Sequence, residues 1–243
     1  MSEIQTRNEG RSNTFLAVSI LASAIIIGGS VVYGIGSRAN QGLADVSANI
    51  PTTNGTGNSL PLDAGGNVLL GDPKAPLTII VFGDYQCPFC EKMFQEAEQS
   101  IRKDYIETGK ANLVYRDFPL EAIHPYARPA ANAAECARDQ GKYWLYHDTL
   151  FNRQNQLPSI DFVKLAGELG MDTKTFGSCF SASKYDAEIQ RDYDAGVAAG
   201  VNGTPATFIN GKLISGAVPF SYFKPEIEKA IQASNSIPTG AKE

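Results

Sequence analysis

The sequence has little positive charge and few cysteines, and each shortage narrows the classes of protein to consider. It contains 21 Lys and Arg against 26 Asp and Glu in 243 residues, a formal net charge of −5. Without a basic cluster, this balance argues against nucleic-acid binding. There are four cysteines, and only one pair of them has CxxC spacing. A four-cysteine zinc site would need a second such pair, so we expect no metal.

Charged residues are also missing from Ser12 to Ser37, and residues 15–35 are almost continuously apolar. At a helical rise of about 1.5 Å per residue, this stretch can cross a hydrocarbon core about 30 Å thick. We therefore expect a single transmembrane helix at 15–35 that acts as an uncleaved signal anchor. Cleavage as a signal peptide is the alternative, because Ser47-Ala48 offers a small-residue site further on.

The charges around this segment indicate its orientation. Arg7 and Arg11 precede it, and only Arg38 closely follows it. Because positive charge concentrates on the cytoplasmic side of membrane proteins, we expect residues 1–14 in the cytoplasm. We place the rest of the chain on the extracytoplasmic, periplasmic side of the plasma (inner) membrane, where disulfides persist.

The composition divides the remainder into three parts. Residues 36–66 are rich in Gly, Ser, Asn and Thr, which predicts a flexible linker. Residues 67–235 are enough to bury a hydrophobic core as one domain. Residues 236–243 are expected to form a disordered tail.

The periodicity of apolar residues in the domain predicts an α/β fold that opens strand–helix–strand. A helical segment follows, and Asn210-Gly211 between two short apolar runs is the pattern of a hairpin. The predicted elements are a strand at 77–82, a helix at 88–107, a strand at 111–116, helices at 126–139, 142–153, 160–169, 173–180 and 184–199, a hairpin of 206–209 and 212–215, and a helix at about 221–233.

The CxxC pair, Cys87-Pro88-Phe89-Cys90, lies where the first predicted strand ends and the first helix begins. Unpaired N–H groups at a helix start carry partial positive charge and stabilise an anion. They favour a thiolate at Cys87, which is the attacking form in disulfide exchange. We therefore predict that Cys87 is the nucleophile and that Cys90 resolves the mixed disulfide. Half of a zinc site or a structural disulfide is the alternative.

Short motifs accompany this pair over about residues 67–234: Phe82-Gly83-Asp84-Tyr85 before it, and Phe118-Pro119-Leu120, His124-Pro125, Gly141-Lys142-Tyr143-Trp144, His147-Asp148, Leu150-Phe151 and Gly200-Val201-Asn202-Gly203-Thr204-Pro205 after it. Together they resemble the DsbA-like thiol–disulfide oxidoreductases, in the branch with a Phe-Gly-Asp-Tyr-x-Cys-Pro-x-Cys segment. The resemblance implies a thioredoxin fold with a helical insertion at about 120–200.

The resemblance also assigns roles around the CxxC pair. Pro205 matches the cis-proline that thioredoxin-like proteins place beside the active-site disulfide. The backbone of Thr204 is then free to pair with an extended substrate segment. Pro88 and Phe89 are expected to support the site and contact substrate.

Cys136 and Cys179 match a second cysteine pair that many members of this branch carry. The resemblance implies a structural disulfide that pins two helices of the insertion. Two buried free thiols, acting as small apolar side chains, are the alternative.

The sequence offers no clear proton donor for Cys90. Relatives often place a buried acid six residues before the first cysteine, and here that position is Val81. Proton transfer at Cys90 must then use water or another group. Asp84 could substitute, but a loop or cap role at the strand end is favoured. We expect His124 and His147 to serve capping and packing, and we assign neither to catalysis.

The implied function is that of a membrane-anchored oxidoreductase that introduces disulfide bonds into exported proteins through Cys87 and Cys90. Its substrates are expected to be reduced or unfolded exported proteins. A membrane quinone-linked partner of the DsbB or VKOR type is expected to reoxidise it. We expect a monomer without a cofactor. A reductase or isomerase of the same fold, or a non-catalytic binding module of the envelope, is the alternative.

Overall fold

The computed structural model describes residues 66–236 of the chain. The expected cytoplasmic segment at 1–14, the signal anchor at 15–35, and nearly all of the linker at 36–66 and the tail at 236–243 lie outside the described residues. Within residues 66–236, no helix is both long enough and apolar enough to cross a membrane.

Strands and helices of the domain follow one another largely in the order that the sequence predicts. They are β1 (Leu69–Leu70), β2 (Thr78–Gly83), α1 (residues 88–106), β3 (Asn112–Asp117), α2 (Ala127–Arg138), α3 (Tyr143–Asn152), a 3-10 helix (Gln154–Ser159), α4 (Phe162–Glu168), α5 (Thr173–Ser181), α6 (Asp186–Ala198), β4 (Ala206–Ile209), β5 (Lys212–Ser215) and α7 (Phe220–Asn235).

The strands form one mixed sheet in the order β1-β3-β2-β4-β5. The central pair, β2 and β3, is parallel, and the other pairs are antiparallel. Successive side chains of a strand point to opposite faces. Ile79 and Val81 of β2 accordingly pack into the larger hydrophobic cluster, and Ile80 and Phe82 pack into a smaller one on the other face. This explains why β2 is apolar throughout rather than alternating.

Two features of the opening unit differ from the sequence prediction. Strand β1 was not predicted, because two residues are too few to show alternation, yet Leu69 pairs with Val114 at the sheet edge. Helix α1 was predicted as regular, but it contains two π-helical stretches, Phe94–Glu98 and Arg102–Ile106. Phe94, Ala97, Ile101 and Tyr105, which follow one another at helical spacing, are nonetheless all buried.

The helical insertion, α2 to α6, lies between β3 and β4 as predicted. A disulfide between Cys136 of α2 and Cys179 of α5 joins two of its helices. The Cα atoms of the two cysteines are 5.8 Å apart, and 43 residues separate them in sequence. Helix α2 is rich in alanine, and its buried small side chains allow neighbouring helices to approach it closely.

Candidate active site

The CxxC pair lies in the short connection between β2 and α1. Cys87 is the residue that precedes the first turn of α1, and its carbonyl accepts the N–H groups of Cys90 (3.0 Å) and Glu91 (3.2 Å). Pro88 occupies the start of the helix. A backbone N–H at this position has no partner within the helix, so the lack of one in proline costs no hydrogen bond. The structure therefore confirms the predicted position of Cys87 between a strand and a helix.

Both thiols of the pair are free, and both cysteines are buried. Phe89, which lies between them, is 60 % exposed.

The pKa of Cys87 is lowered from its ordinary value to about 6. The largest cause is a hydrogen bond from the Cys90 thiol, which stabilises the Cys87 thiolate, and partial burial opposes it. Hydrogen bonds from Thr204 and from the backbone N–H groups of Phe89 and Cys90 lower it further. Cys87 is thus ionised to a large extent at neutral pH.

The pKa of Cys90 shifts in the opposite direction, well above its ordinary value. Burial is the largest cause, and the charge of Cys87 adds to it. The backbone N–H of Asp84 donates to the Cys90 Sγ at 3.5 Å and partly offsets the shift. The pair therefore consists of one thiolate and one thiol that holds its proton.

The loop before β4 completes the site. The Thr204–Pro205 peptide bond is cis, and the carbonyl oxygen of Thr204 lies 3.4 Å from the Cys87 Sγ. The structure thus brings together residues that are 117 positions apart in sequence. Cys136 and Cys179 belong instead to the insertion, where they are bonded to each other.

Asp84 holds the loop that carries the CxxC pair. Its buried carboxylate accepts the N–H groups of Gln86 (2.7 Å) and Leu120 (2.9 Å) and contacts His124 Nδ1 at 2.7 Å. These contacts match the loop role that the sequence favoured for Asp84. They also give His124 a definite partner.

One residue that supports the loop carrying the CxxC pair was not predicted from the sequence. Gln154, at the start of the 3-10 helix, donates its side-chain N–H to the carbonyls of Tyr85 (2.9 Å) and Cys87 (3.0 Å). A lone glutamine 67 residues from Cys87 carries no local signal, so only the folded structure reveals this contact.

Close packing explains why the second residue of the Phe-Gly-Asp-Tyr segment is glycine. A Cβ added to Gly83 would lie 2.5 Å from the ring and the hydroxyl of Tyr115. Only glycine lets the Tyr115 ring lie against the end of β2.

Among residues 66–236, no group of three or more His, Cys, Asp or Glu side chains is placed to hold a metal ion.

The fold and the site are those of a thioredoxin-like protein with a redox-type CxxC pair, and the family comparison agrees. A family model described as Thioredoxin matches residues 63–229, which is more than half of the chain.

Solved structures give the same result. The crystal structure of Wolbachia pipientis α-DsbA1 is 25% identical with a TM-score of 0.64, over 74% of this chain and 98% of that one. A thioredoxin-like oxidoreductase from Silicibacter pomeroyi is 28% identical with a TM-score of 0.59, over 72% and 96% of the two chains. The chain belongs to the thioredoxin family, as a DsbA-like thioredoxin-fold protein.

A curated relative, "Na(+)/H(+) antiporter NhaA 3" of Salinispora tropica, is 30% identical over 184 residues. That stretch is 76% of this chain but only 28% of the antiporter. The chain therefore spans little more than a quarter of that relative's length.

Titration of the reduced full-length chain should show a Cys87 thiolate with a pKa of about 6 by its absorbance near 240 nm. Cys90→Ser retains a hydroxyl donor to Cys87 and should keep the pKa low. Cys90→Ala removes the donor, so we expect a clear upward shift. A pKa of about 8.5 in the wild-type chain, as in a free thiol, contradicts this account.

Proposed function

We propose that this protein is a membrane-anchored thiol:disulfide oxidoreductase that introduces disulfide bonds into exported proteins. The observation that carries the proposal is the opposite shift of the two thiols, with Cys87 held as an anion and Cys90 held as a thiol. Stabilisation of the reduced form makes the Cys87–Cys90 disulfide easy to reduce, which is the property of an oxidant of thiols.

The reaction begins with the pair in its disulfide form. A thiolate of the substrate attacks the sulfur of Cys87, the Cys87–Cys90 bond breaks, and Cys90 leaves with both electrons and takes up a proton. A second substrate thiolate then attacks the substrate sulfur of the mixed disulfide. The substrate leaves with a new disulfide, and Cys87 leaves as the thiolate that its surroundings stabilise.

Two features of the site support a protein substrate. Phe89 presents an exposed ring next to Cys87, and the Thr204 carbonyl lies within 3.4 Å of the attacked sulfur. An extended peptide segment that pairs with the backbone at Thr204 would bring its cysteine to Cys87.

Continued turnover needs an oxidant for the reduced pair. The resemblance to DsbA-like proteins supports a membrane quinone-linked partner of the DsbB or VKOR type. The apolar segment at 15–35 supports the same proposal, since an anchored domain stays near a membrane partner.

The test uses the oxidised full-length chain in detergent and reduced, denatured ribonuclease. We expect stoichiometric loss of ribonuclease thiols and formation of the reduced chain, and no reaction with Cys87→Ser. Equilibration with glutathione buffers should give a potential between those of thioredoxin, about −270 mV, and of DsbA, about −120 mV. A chain that leaves ribonuclease reduced, with a potential near the thioredoxin value, is a reductase instead.

A further inference from the structure

The peptide group between Cys87 and Pro88 has a single atom through which hydrogen bonds can fix it. Proline has no backbone N–H, so this atom is the carbonyl oxygen of Cys87. The oxygen accepts the N–H groups of Cys90 at 3.0 Å and of Glu91 at 3.2 Å. Both donors belong to α1, so these two bonds fix the group to its own helix and not to the rest of the domain.

Gln154 provides the contact with the rest of the domain. Its Nε2 donates to the carbonyl oxygen of Cys87 at 3.0 Å and to that of Tyr85 at 2.9 Å. A side-chain amide nitrogen carries two N–H groups, so this geometry uses one for each carbonyl. Because a single atom binds both carbonyls, neither can turn away without the loss of a hydrogen bond.

The Gln154 side chain is itself fixed by packing. It is 7 % exposed, and it begins the 3-10 helix that follows α3 of the insertion. The ring centroid of Phe151, on α3, is 5.2 Å from that of Phe94 on α1 and 5.1 Å from that of Tyr85. Leu157 of the 3-10 helix is buried as well. The insertion therefore presents the Gln154 amide to the CxxC turn from a packed position.

The orientation of Cys87 determines what its sulfur contacts. The Cys87 Sγ lies 3.4 Å from the Thr204 carbonyl oxygen, and the backbone N–H groups of Phe89 and Cys90 donate to the sulfur. Hydrogen bonds weaken steeply when their angles depart from the favoured range. A rotation of the Cys87 peptide group carries the Cβ and Sγ atoms with it, so a bond that fixes the carbonyl also fixes the sulfur.

We propose that Gln154 is a positioning residue for the nucleophile: its amide fixes the Cys87 carbonyl and so keeps the sulfur among the donors that stabilise its thiolate. The inference rests on the proposed function, in which the Cys87 thiolate leaves from the mixed disulfide. Gln154 acts through the backbone, because its two hydrogen bonds go to carbonyl oxygens. The helical insertion thereby takes part in the chemistry of the CxxC pair.

The direct test is the pKa of Cys87 in Gln154→Met, read from the thiolate absorbance of the reduced full-length chain in detergent. Methionine has a similar length but no N–H to donate. The loss of one hydrogen bond to a charged group changes ionisation about tenfold or more, so the pKa should rise from about 6 to about 7 or above. Gln154→Glu, which places a carboxylate against the two carbonyl oxygens, should raise the pKa at least as far.

The reduction potential provides a second readout. A tenfold weaker stabilisation of the thiolate makes the reduced chain less stable relative to the disulfide form. At a pH above both pKa values, equilibration of Gln154→Met with glutathione buffers should therefore give a potential about 30 mV below that of the wild-type chain. An unchanged Cys87 pKa together with an unchanged potential overturns the proposal, whatever happens to the Tm.

Gln140→Met is the matched control. Gln140 also binds one backbone segment through its amide, donating to the carbonyl of Asp172 at 3.1 Å and accepting its N–H at 2.8 Å. These bonds join the end of α2 to the start of α5, so their loss should lower the Tm. The Cys87 pKa and the potential should remain those of the wild-type chain. A pKa that rises equally in both glutamine variants reports a general loosening of the domain and contradicts the proposal.

A measurement on the wild-type chain does not depend on the folding of a variant. Gln156 lies in the same 3-10 helix but is exposed. By NMR, the side-chain N–H protons of Gln154 should exchange with solvent at least about tenfold more slowly than those of Gln156. Equal exchange rates show that the amide does not hold the turn and overturn the proposal. If Gln154→Met raises the Cys87 pKa but the wild-type chain leaves ribonuclease reduced, the proposed function fails and the positioning role stands.

Discussion

Replacing both Cys136 and Cys179 by alanine is expected to lower the free energy of unfolding by about 4 kcal/mol. The bond closes a loop across a sequence separation of 43, and the unfolded chain regains the conformations that this loop excludes. For a domain of this size, the loss corresponds to a fall in Tm of roughly 10 °C. Urea unfolding followed by circular dichroism measures it.

The comparison is cleanest in a background that carries Cys87→Ser and Cys90→Ser, so that only the bridge varies. In this background, reduction of the Cys136–Cys179 bond by dithiothreitol should destabilise the chain as much as the double alanine variant does. A loss below about 1 kcal/mol in both experiments shows that the bridge does not constrain the unfolded chain.

Local patterns gave correct predictions wherever neighbouring residues determine the outcome. The Asn210-Gly211 hairpin was placed at the residues where β4 and β5 are found, because a two-residue turn sets its own register. The position of Cys87 between a strand end and a helix start was predicted for a similar reason, since strand, cysteine and helix are consecutive. Element ends were displaced by one or two residues, as helix and strand termini usually are.

Contacts between segments that are far apart in the chain could not be predicted from the sequence. Asp84 was given a loop role, but its bond to His124 arises only when the segments around them meet. Gln154 had no distinguishing pattern, because its contacts with the carbonyls of Tyr85 and Cys87 form only in the folded chain. His147 was assigned to packing, and its ring is fully buried against Tyr115 and Phe151.

Three buried carboxyl groups, on β3, α2 and α6, form another cluster that could not be predicted from the sequence. Burial raises the pKa of Asp117 well above its usual value and that of Glu135 to about 8. Burial also raises the pKa of Asp192, and the guanidinium of Arg116 partly offsets this shift. The folded chain therefore holds protons at pH values where the unfolded chain has released them. Stability should fall as the pH rises from about 4 towards 8.

Arg116→Met is expected to lower the free energy of unfolding by about 3–5 kcal/mol at pH 7. Arg116 contacts Asp192 through Nε at 2.7 Å and through a terminal nitrogen at 2.6 Å, and both side chains are less than a tenth exposed. Methionine keeps much of the apolar stem but leaves the Asp192 carboxylate buried without its cation. The free energy of unfolding, measured with urea at pH 7 and pH 5, gives the size of the loss and its pH dependence.

The loss should be smaller at pH 5, because Asp192 without Arg116 takes up a proton more readily and its buried charge disappears. The double variant Arg116→Met/Asp192→Asn should recover much of the stability at pH 7, since it removes the charge itself. Arg128→Met is the matched control, because Arg128 pairs with half-exposed Glu121 and Asp186, and we expect a loss of at most about 1 kcal/mol. Equal small losses for Arg116→Met and Arg128→Met would show that Arg116 does not compensate the buried carboxylate.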